Sequence, residues 1–407
     1  MKRGSWRSSS TPILGQPIYR LTPLPIQMDF KRRLAGLQAK MEEQGLDLVV
    51  YGGSPDLQYL AGVNLEWRRG RDLLYPQDNL FVARGGEPVL TLNSEHRGHA
   101  QGTWVKDVRV AEKEQPYGDI VKKIVADLGV KPGRVAIGDY CWGSTSLEVA
   151  KACAGSRFRV GEGLLDSIRM IKEPEEVAKL KKAAEVVESV MGLIAPRIVE
   201  GVTQRNLQIM IEMMGRGLGA TDVSFPPTAG YLKTGTIPSD DPFIYPKDAG
   251  LAKGTSIAFD FGLVVDGYCS DWGRSLYYGQ PREDITQAYQ ALQLAVMQAG
   301  DAVGGEIKRL CDFYPFIEKT LDNLGFGNFL RNRLKSGVVG HQIGVEVHED
   351  PWLRPDNTQP LVDGMVFCLE PKLWSKGEYY LRVEDMIHIR NGKAEFLTNY
   401  SREKFQV

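Results

Sequence analysis

Residues 258–275 of this 407-residue chain, AFDFGLVVDGYCSDWGRS, are its most informative segment. It is strand-like and apolar, yet it carries Asp260 within one run and Asp271 at the start of the next. A buried carboxylate costs several kcal/mol unless it is paired or bound to a metal. The stretch therefore indicates a strand-rich core that holds acidic groups for a chemical purpose.

Three further residues with metal-binding side chains lie in similar apolar runs: His341 in VGHQIG, Glu370 in CLEPK and Glu384 in RVEDM. Each alone would be an ordinary turn, surface or structural residue, but their joint occurrence favours a metal site. Two divalent cations would balance four carboxylates, and one imidazole would complete the ligand set. Such oxygen-rich ligation suits Mn²⁺, Fe²⁺, Co²⁺ or Zn²⁺ better than a structural zinc site, which normally uses Cys or several His.

The composition is that of an ordinary soluble protein, with 43% hydrophobic and 25% charged residues. Lys and Arg number 50 against 51 Asp and Glu, so nothing indicates a nucleic-acid partner, and we expect a small-molecule or peptidic substrate. Apolar runs all fall short of the roughly 18 residues that span a bilayer, so we expect no membrane partner. Five singly scattered cysteines are typical of reduced thiols in a cytoplasmic protein.

Residues 1–27 lack the apolar core of a signal peptide and are predicted to form an extended N-terminal arm. Residues 28–166 are predicted to form an α/β domain. In it, DFKRRLAGLQAKMEEQG is an amphipathic helix ending at Gly45, and several short runs form strands: DLVVYGG, EPVLTLN, VKDVRV and GRVAIGD.

Residues 167–407 are predicted to form an α+β domain that opens with a long helix, because Pro174 suits a first helical turn. Apolar residues at helical spacing mark its buried face: Val177, Leu180, Ala184, Val187, Met191 and Ile194. Another helix is predicted from Thr203 to about Arg216, and two more between Arg282 and Leu324. Because strands and helices do not strictly alternate, we expect an antiparallel sheet.

The motifs D-x-G, G-Y-x-S-D, G-H-x-I-G, H-E-x-P, L-E-P and R-V-E-D occur in that order along the chain. Together they resemble the M24 metallopeptidase family, which has the pita-bread fold of aminopeptidase P, prolidase, methionine aminopeptidase and the creatinases. The resemblance covers nearly the whole chain. It implies a creatinase-type N-terminal domain over residues 28–166 and a pita-bread catalytic domain over residues 167–407.

The resemblance also implies a ligand set for two divalent ions, with Mn²⁺ expected first and Co²⁺, Zn²⁺ or Fe²⁺ as the other candidates. Asp260 and Asp271 would hold one ion, Asp271 would bridge to the other, and His341, Glu370 and Glu384 would complete the pair.

The catalytic roles are likewise implied by the resemblance. A water held between two cations loses a proton near neutral pH and becomes the nucleophile. Glu370 would act as general base, and His348 in VHEDP would stabilise the developing oxyanion or donate a proton.

The sequence departs from the family near this site. Phe243 in DDPFIYP stands where the peptidases carry a substrate-facing His, Gly273 stands where Thr is frequent, and Lys372 and Trp374 follow Glu370 where Gly and Tyr are usual. Phe243 and Trp374 would make an apolar substrate pocket suited to a cationic group.

A basic stretch in the N-terminal domain places Arg68, Arg69 and Arg71 beside Trp67. It is either a solvated loop or a site that captures a substrate carboxylate. In dimeric relatives the N-terminal domain of one subunit closes over the active site of the other. The resemblance therefore implies a homodimer with these arginines near the partner's metal centre. A molecular mass in solution that corresponds to two chains would support the dimer.

Three functions are compatible with these observations. The leading one is a dinuclear-metal hydrolase of short peptides, of the Xaa-Pro dipeptidase or aminopeptidase kind. The alternative is a non-peptidase relative that cleaves a C–N or C–S bond in a small zwitterionic metabolite, as creatinase, ectoine hydrolase and dimethylsulfoniopropionate lyase do. A catalytically inactive binding module is the third, and the intact ligands together with His348 argue against it.

Phe243 generates a direct test between the first two functions. A phenyl ring cannot donate a hydrogen bond to a peptide carbonyl. If the missing imidazole removes peptidase chemistry, the wild-type protein should turn over Ala-Pro poorly, and Phe243→His should gain about 10²–10³ in rate. The measurement is Ala-Pro turnover by the Mn²⁺-loaded proteins, with thermal melts to check folding. Wild-type turnover at prolidase-like rates would show that Phe243 is tolerated in a plain peptidase.

Overall fold

The computed structural model describes residues 28–69, 75–236, 247–400 and 405–407. The predicted arm of residues 1–27 lies outside them, as do Arg71, Phe243 and the side chain of Arg69. No helix in the described part of the chain is long and apolar enough to cross a membrane.

The first domain is built on a six-stranded mixed sheet in the order β4-β3-β2-β1-β5-β6. Its strands are β1 (Leu48–Gly52), β2 (Asn79–Ala83), β3 (Val89–Asn93), β4 (Asp107–Ala111), β5 (Arg134–Ile137) and β6 (Arg157–Val160). Its helices are α1 (Phe30–Gln44), α2 (Pro55–Ala61), α3 (Tyr117–Asp127), α4 (Gly143–Ala152) and α5 (Asp166–Arg169). Strands β1, β2 and β3 pair antiparallel, whereas β3–β4, β1–β5 and β5–β6 are parallel. The α/β character expected of this domain is confirmed.

Helix α1 begins and ends where its sequence predicts. The Asp29 side chain accepts a hydrogen bond from the Arg32 backbone N–H at 2.9 Å and caps the N-terminus. Gly45 ends the helix with φ 65°, a left-handed conformation that glycine adopts without strain. Leu37 and Met41 are buried between these caps.

Helix α6 (Pro174–Ile194) opens the second domain, with Pro174 at its first position and a capping box between Glu173 and Glu176. Of its predicted buried face, Val177 is half-buried, and the other residues are fully buried: Leu180, Ala184, Val187, Met191 and Ile194. The remaining helices are α7 (Gln204–Gly217), α8 (Glu283–Ala302), α9 (Phe313–Asn323) and α10 (Gly327–Arg333). Helices α7, α8 and α9 were predicted, and α10 was not.

The second domain has one large sheet, in the order β14-β13-β15-β17-β12-β9-β8, with β16 and β18 both paired to β17. Its strands are β8 (Thr228–Lys233), β9 (Thr255–Phe261), β12 (Trp272–Tyr278), β13 (Gly340–Gln342), β14 (Glu349–Leu353), β15 (Val366–Leu369), β16 (Lys372–Ser375), β17 (Tyr379–Arg390) and β18 (Lys393–Phe396). A second sheet joins β7 (Asp222–Val223), β10 (Leu263–Val265) and β11 (Tyr268–Cys269). All of these ladders are antiparallel, which confirms the α+β prediction.

A buried network of charges joins the two domains. The Arg169 guanidinium lies 3.0 Å from Asp56 of the first domain, 2.8 Å from Glu346 and 2.6 Å from Glu349 of the second. Lys172 adds a contact of 3.2 Å to Glu349. Burial alone would raise the pKa of Glu349, but Arg169 and Lys172 outweigh burial and hold that pKa at about 2.

This network predicts a pH-dependent loss of stability in Glu349→Gln. At pH 7 the variant should lose about 3–5 kcal/mol, because Arg169 and Lys172 lose a buried counter-charge. A depressed carboxyl pKa stabilises the fold above about pH 4.3, the ordinary value for Glu, and this contribution disappears as the pH falls toward about 2. The gap between wild type and variant should therefore narrow below about pH 4.3.

Denaturant melts at pH 7 and at a series of acidic pH values measure this gap. Glu212→Gln is the control, because Glu212 pairs with Arg216 at 3.0 Å on an exposed helix surface and should change stability by less than about 1 kcal/mol. A gap that stays constant with pH would contradict the assignment to Glu349.

Candidate metal centre

Strand register brings the acidic residues together. In the β9–β12 ladder Asp260 lies opposite Gly273, and in the β12–β17 ladder Gly273 lies opposite Glu384. Asp271 directly precedes β12 and is buried. Asp260, Asp271 and Glu384 therefore come from adjacent strands of one sheet.

The remaining ligands come from the neighbouring strands. His341 on β13 lies opposite Cys368 on β15, and Glu370 follows the end of β15. Because side chains two residues apart on an extended chain share a face, Cys368 and Glu370 are expected on one face, as are Arg382 and Glu384. All five predicted ligands thus converge on one region of the sheet.

The distances are those of a compact centre. Ligand atoms of Asp271, His341, Cys368 and Glu384 all lie within 4.8 Å of one another. The His341 Nε2 atom lies 3.5 Å from an Asp271 oxygen and 3.8 Å from a Glu370 oxygen. Its Nδ1 lies 3.0 Å from the Gln342 carbonyl oxygen and donates to it, which leaves Nε2 as the ligand atom.

Four buried atoms in this centre have no hydrogen-bond partner: Asp260 Oδ1, Asp271 Oδ1, His341 Nε2 and Glu384 Oε1. An unsatisfied buried polar atom costs about 1–3 kcal/mol, and more when the group is charged. Metal ions would use these lone pairs. The donor set therefore fits divalent cations, in agreement with the prediction from the sequence.

The protonation behaviour of the centre points the same way. Burial would lower the pKa of His341, but Asp271 and the other carboxylates outweigh burial and raise it to about 9. Burial raises the pKa of Glu384, against the effect of Arg382. The side chains thus retain protons that arriving metal ions would displace.

Two basic side chains also reach into the centre, and neither was predicted to do so. Arg382 contacts Asp260, lies 2.8 Å from Glu370 and lies 2.9 Å from Glu384. Lys372 contacts Glu370. The sequence did carry a signal for both bases, because each lies two residues from an acid and side chains at that spacing on a strand share a face. The signals are R-x-E for Arg382 and Glu384, and E-x-K for Glu370 and Lys372.

Cys368 is the third residue that the sequence analysis missed. Its thiol is fully buried, and burial raises its pKa well above the usual range for cysteine. It shares a strand face with Glu370, which is the signal that could have found it. Cys269, by contrast, is a packed thiol, since it is buried and burial raises its pKa.

A cavity of about 410 Å³ opens over the centre. It is lined by Phe225, Thr228, Asp260, Asp271, Arg333, His348, Glu370, Lys372 and Arg382. The His348 ring lies 4.4 Å from the His341 ring and stacks on Trp352 at 5.2 Å, measured between centroids. Burial and the neighbouring His341 lower the pKa of His348, which keeps its imidazole neutral near pH 7.

The first domain closes a second cavity, of about 440 Å³, that shares Phe225 and His348 with the first. Arg68 lines this cavity, donates to the Val345 carbonyl and stacks over Trp67 at 4.2 Å. Arg68 is therefore at the entrance to the site of its own chain. The predicted approach of this arginine to a partner's site stays a prediction.

Two other residues were predicted to contact the substrate, Trp374 and Phe243. Trp374 packs beside a small cluster of Leu232, Ala258 and Tyr380, and it is not among the described residues that line the cavity over the ligands. Phe243 lies outside the described residues, so its role rests on the sequence.

The comparisons with known proteins agree with this geometry. Residues 178–391 match metallopeptidase family M24, and residues 33–171 match the creatinase/prolidase N-terminal domain. A putative dipeptidase of Bacillus subtilis, YkvY, is 26% identical over 330 residues, which are 80% of this chain and 87% of that protein.

Two solved structures are similar over nearly the full length. A dipeptidase from Pyrococcus horikoshii has a TM-score of 0.80 and 25% identity, covering 92% of this chain and 100% of that one. A prolidase from Thermococcus sibiricus has a TM-score of 0.79 and 25% identity, covering 94% and 100%. Since the M24 match alone spans more than half of the chain, and its ligand residues meet in one buried centre, the protein belongs to metallopeptidase family M24 and is a metal-dependent hydrolase.

Proposed function

We propose that this protein is a dipeptidase of the Xaa-Pro type that works with two divalent ions, Mn²⁺ before Co²⁺, Zn²⁺ or Fe²⁺. The observation that carries the proposal is the convergence of five ligand residues beneath a cavity with a neutral histidine at its wall. The similar proteins named dipeptidase and prolidase support the choice of substrate class.

The metal ligands in this proposal are those predicted from the sequence: Asp260, Asp271, His341, Glu370 and Glu384. Divalent ions held by them would act as a Lewis acid and lower the pKa of water, as in other hydrolytic metal sites.

The protein's own groups supply the proton transfers. Burial works to raise the pKa of Glu370, but Lys372 and His341 outweigh it and lower the pKa, so the carboxylate is charged and can accept a proton. His348 lines the same cavity in its neutral form. It can donate a hydrogen bond to the carbonyl of the scissile peptide, and the proton that Glu370 accepts can then pass to the leaving amine.

In this proposal, Arg68 binds the carboxylate end of a short peptide. Its guanidinium lines the cavity that adjoins His348, and guanidinium groups bind carboxylates through two parallel hydrogen bonds. A peptide anchored at Arg68 with its amide near His348 would be short, which favours dipeptides. We also propose a homodimer, on the strength of the family resemblance.

A cytoplasmic location forms part of the proposal. All five cysteines are free, and reduced thiols are usual in that compartment.

A second function stays open because of one observation, Phe243 in place of the substrate-facing histidine. It favours the non-peptidase alternative, cleavage of a C–N or C–S bond in a small zwitterion. An activity screen separates the two functions: the Mn²⁺-loaded protein is tested on Ala-Pro, Gly-Pro, Ala-Ala and Ala-Pro-Ala, and on a panel of small zwitterions. Preferential cleavage of the two Xaa-Pro dipeptides supports the proposal, whereas cleavage of a zwitterion with the peptides intact would replace it.

Asp271→Ala tests the metal ligands. Because Asp271 is predicted to bridge both ions, the variant should retain neither at high occupancy and should lose at least about 10³ in activity. Elemental analysis after dialysis and turnover of the best substrate measure the two effects.

Asp248→Ala is the matched control, since Asp248 is an exposed carboxylate paired with Arg205. It should keep both metal content and rate. Two firmly held ions in Asp271→Ala would refute the ligand assignment.

A further inference from the structure

Lys372 brings a positive charge into the metal centre from the first position of β16. Its ammonium contacts the Oε2 atom of Glu370, and only 11% of its side chain is exposed. A compact ammonium that is withdrawn from water must be balanced by a nearby anion. Here that anion is one of the residues expected to bind metal.

Arg382 brings a second positive charge from β17. Its guanidinium contacts Asp260 and reaches Glu370 at 2.8 Å and Glu384 at 2.9 Å. Only 5% of the side chain is exposed. The planar fork thus engages three carboxylates of the centre through charge-assisted hydrogen bonds, which are roughly twice as strong as neutral ones.

Gly273 leaves the space that Arg382 occupies. A Cβ atom at this position would lie 2.6 Å from Nε and 2.7 Å from Cδ of Arg382, and 2.9 Å from an oxygen of Glu384. Contacts this short are not tolerated, so any larger residue would push the guanidinium aside. The position of the Arg382 side chain therefore depends on glycine at residue 273.

The two bases occupy only one side of the centre. Both engage the Oε2 atom of Glu370, and Arg382 also takes the Oδ2 atom of Asp260. On the other side, Asp271, His341 and Glu384 belong to a group whose ligand atoms all lie within 4.8 Å of one another, and each has an atom without a hydrogen bond. Asp260 Oδ1 also makes no hydrogen bond, but Asp260 is not in that group. One side thus offers a compact set of open ligand atoms, whereas on the other the two bases hold one oxygen each of Asp260 and Glu370.

The charges balance with a single metal ion. Lys372 and Arg382 together carry the charge of one divalent cation, so these two bases and one divalent ion neutralise the four carboxylates. We propose that Lys372 and Arg382 stand in for the second metal ion. The centre then binds one ion firmly at Asp271, His341 and Glu384, and binds a second only by displacing the two bases. This inference rests on the proposed function only in assigning metal to these carboxylates.

The test is a Mn²⁺ titration of the full-length protein, followed by calorimetry and by the electron paramagnetic resonance signal of free Mn²⁺. The wild type should bind the second ion at least about 10²-fold more weakly than the first, because that ion must separate two buried ion pairs. Dialysis should leave one ion per chain.

Variants of Lys372 separate charge from shape. Lys372→Met keeps the length of the side chain but removes its charge, and should tighten binding of the second ion at least about tenfold while changing the first less than about threefold. Lys372→Arg keeps the charge and should leave the second ion weakly bound. Gly273→Ala should also tighten the second site, because the added Cβ displaces Arg382.

Thermal melts show which variants fold, and Lys372→Met and Gly273→Ala report on the same site independently. Two equally tight ions in the wild type, or an unchanged second affinity in both folded variants, would overturn the inference. Its failure is distinct from that of the proposed function. Equal binding of two ions together with Xaa-Pro cleavage refutes only the inference, whereas stepwise binding without peptide cleavage refutes only the function.

Discussion

Mutual repulsion among buried carboxylates is the constraint on which this structure depends. Asp260, Asp271, Glu370 and Glu384 meet on one region of an antiparallel sheet. Asp271 and Glu384 are buried and the other two are half-buried, so an uncompensated charge is expensive there. Lys372 and Arg382 partly neutralise these charges, and the raised pKa values of His341 and Glu384 favour their protonated forms. The need to neutralise this cluster accounts for two features of the second domain. These are the position of Arg382 among three carboxylates and the buried atoms without a hydrogen bond, whose lone pairs are available to metal ions.

The network that joins the domains also reaches the cavity over the candidate metal centre. Glu349 pairs with Arg169 and Lys172, and it is the chain neighbour of His348. The buried ion pairs that fix Glu349 therefore fix the start of β14, and with it the histidine that lines the cavity. Because Arg169 also holds Asp56, the same network sets the first domain against the site. Stability and site geometry thus depend on one set of charges.

Local patterns predicted the elements whose signals are local. Helix α1 has a cap at each end, and the buried face of α6 repeats at helical spacing, so both could be located from the sequence. Strand β2 and helix α10 were missed because each is a short segment with a weak periodic signal. Long-range pairing of β2 with β1 and packing of α10 against β16 stabilise them, and neither contact is visible in a local window.

The sequence alone identified the family and predicted the candidate ligands and the order of the two domains, because acidic residues within apolar strand-like runs are costly and their order is distinctive. The pairing of the charges, by contrast, became visible only in three dimensions. Arg382 reaches Asp260 across 122 residues of chain, Arg68 reaches Val345 across 277, and Cys368 comes beside His341 through strand register. The physical reason is that burial can be inferred from the pattern around a residue, whereas the partner of a buried charge is set by register and side-chain geometry.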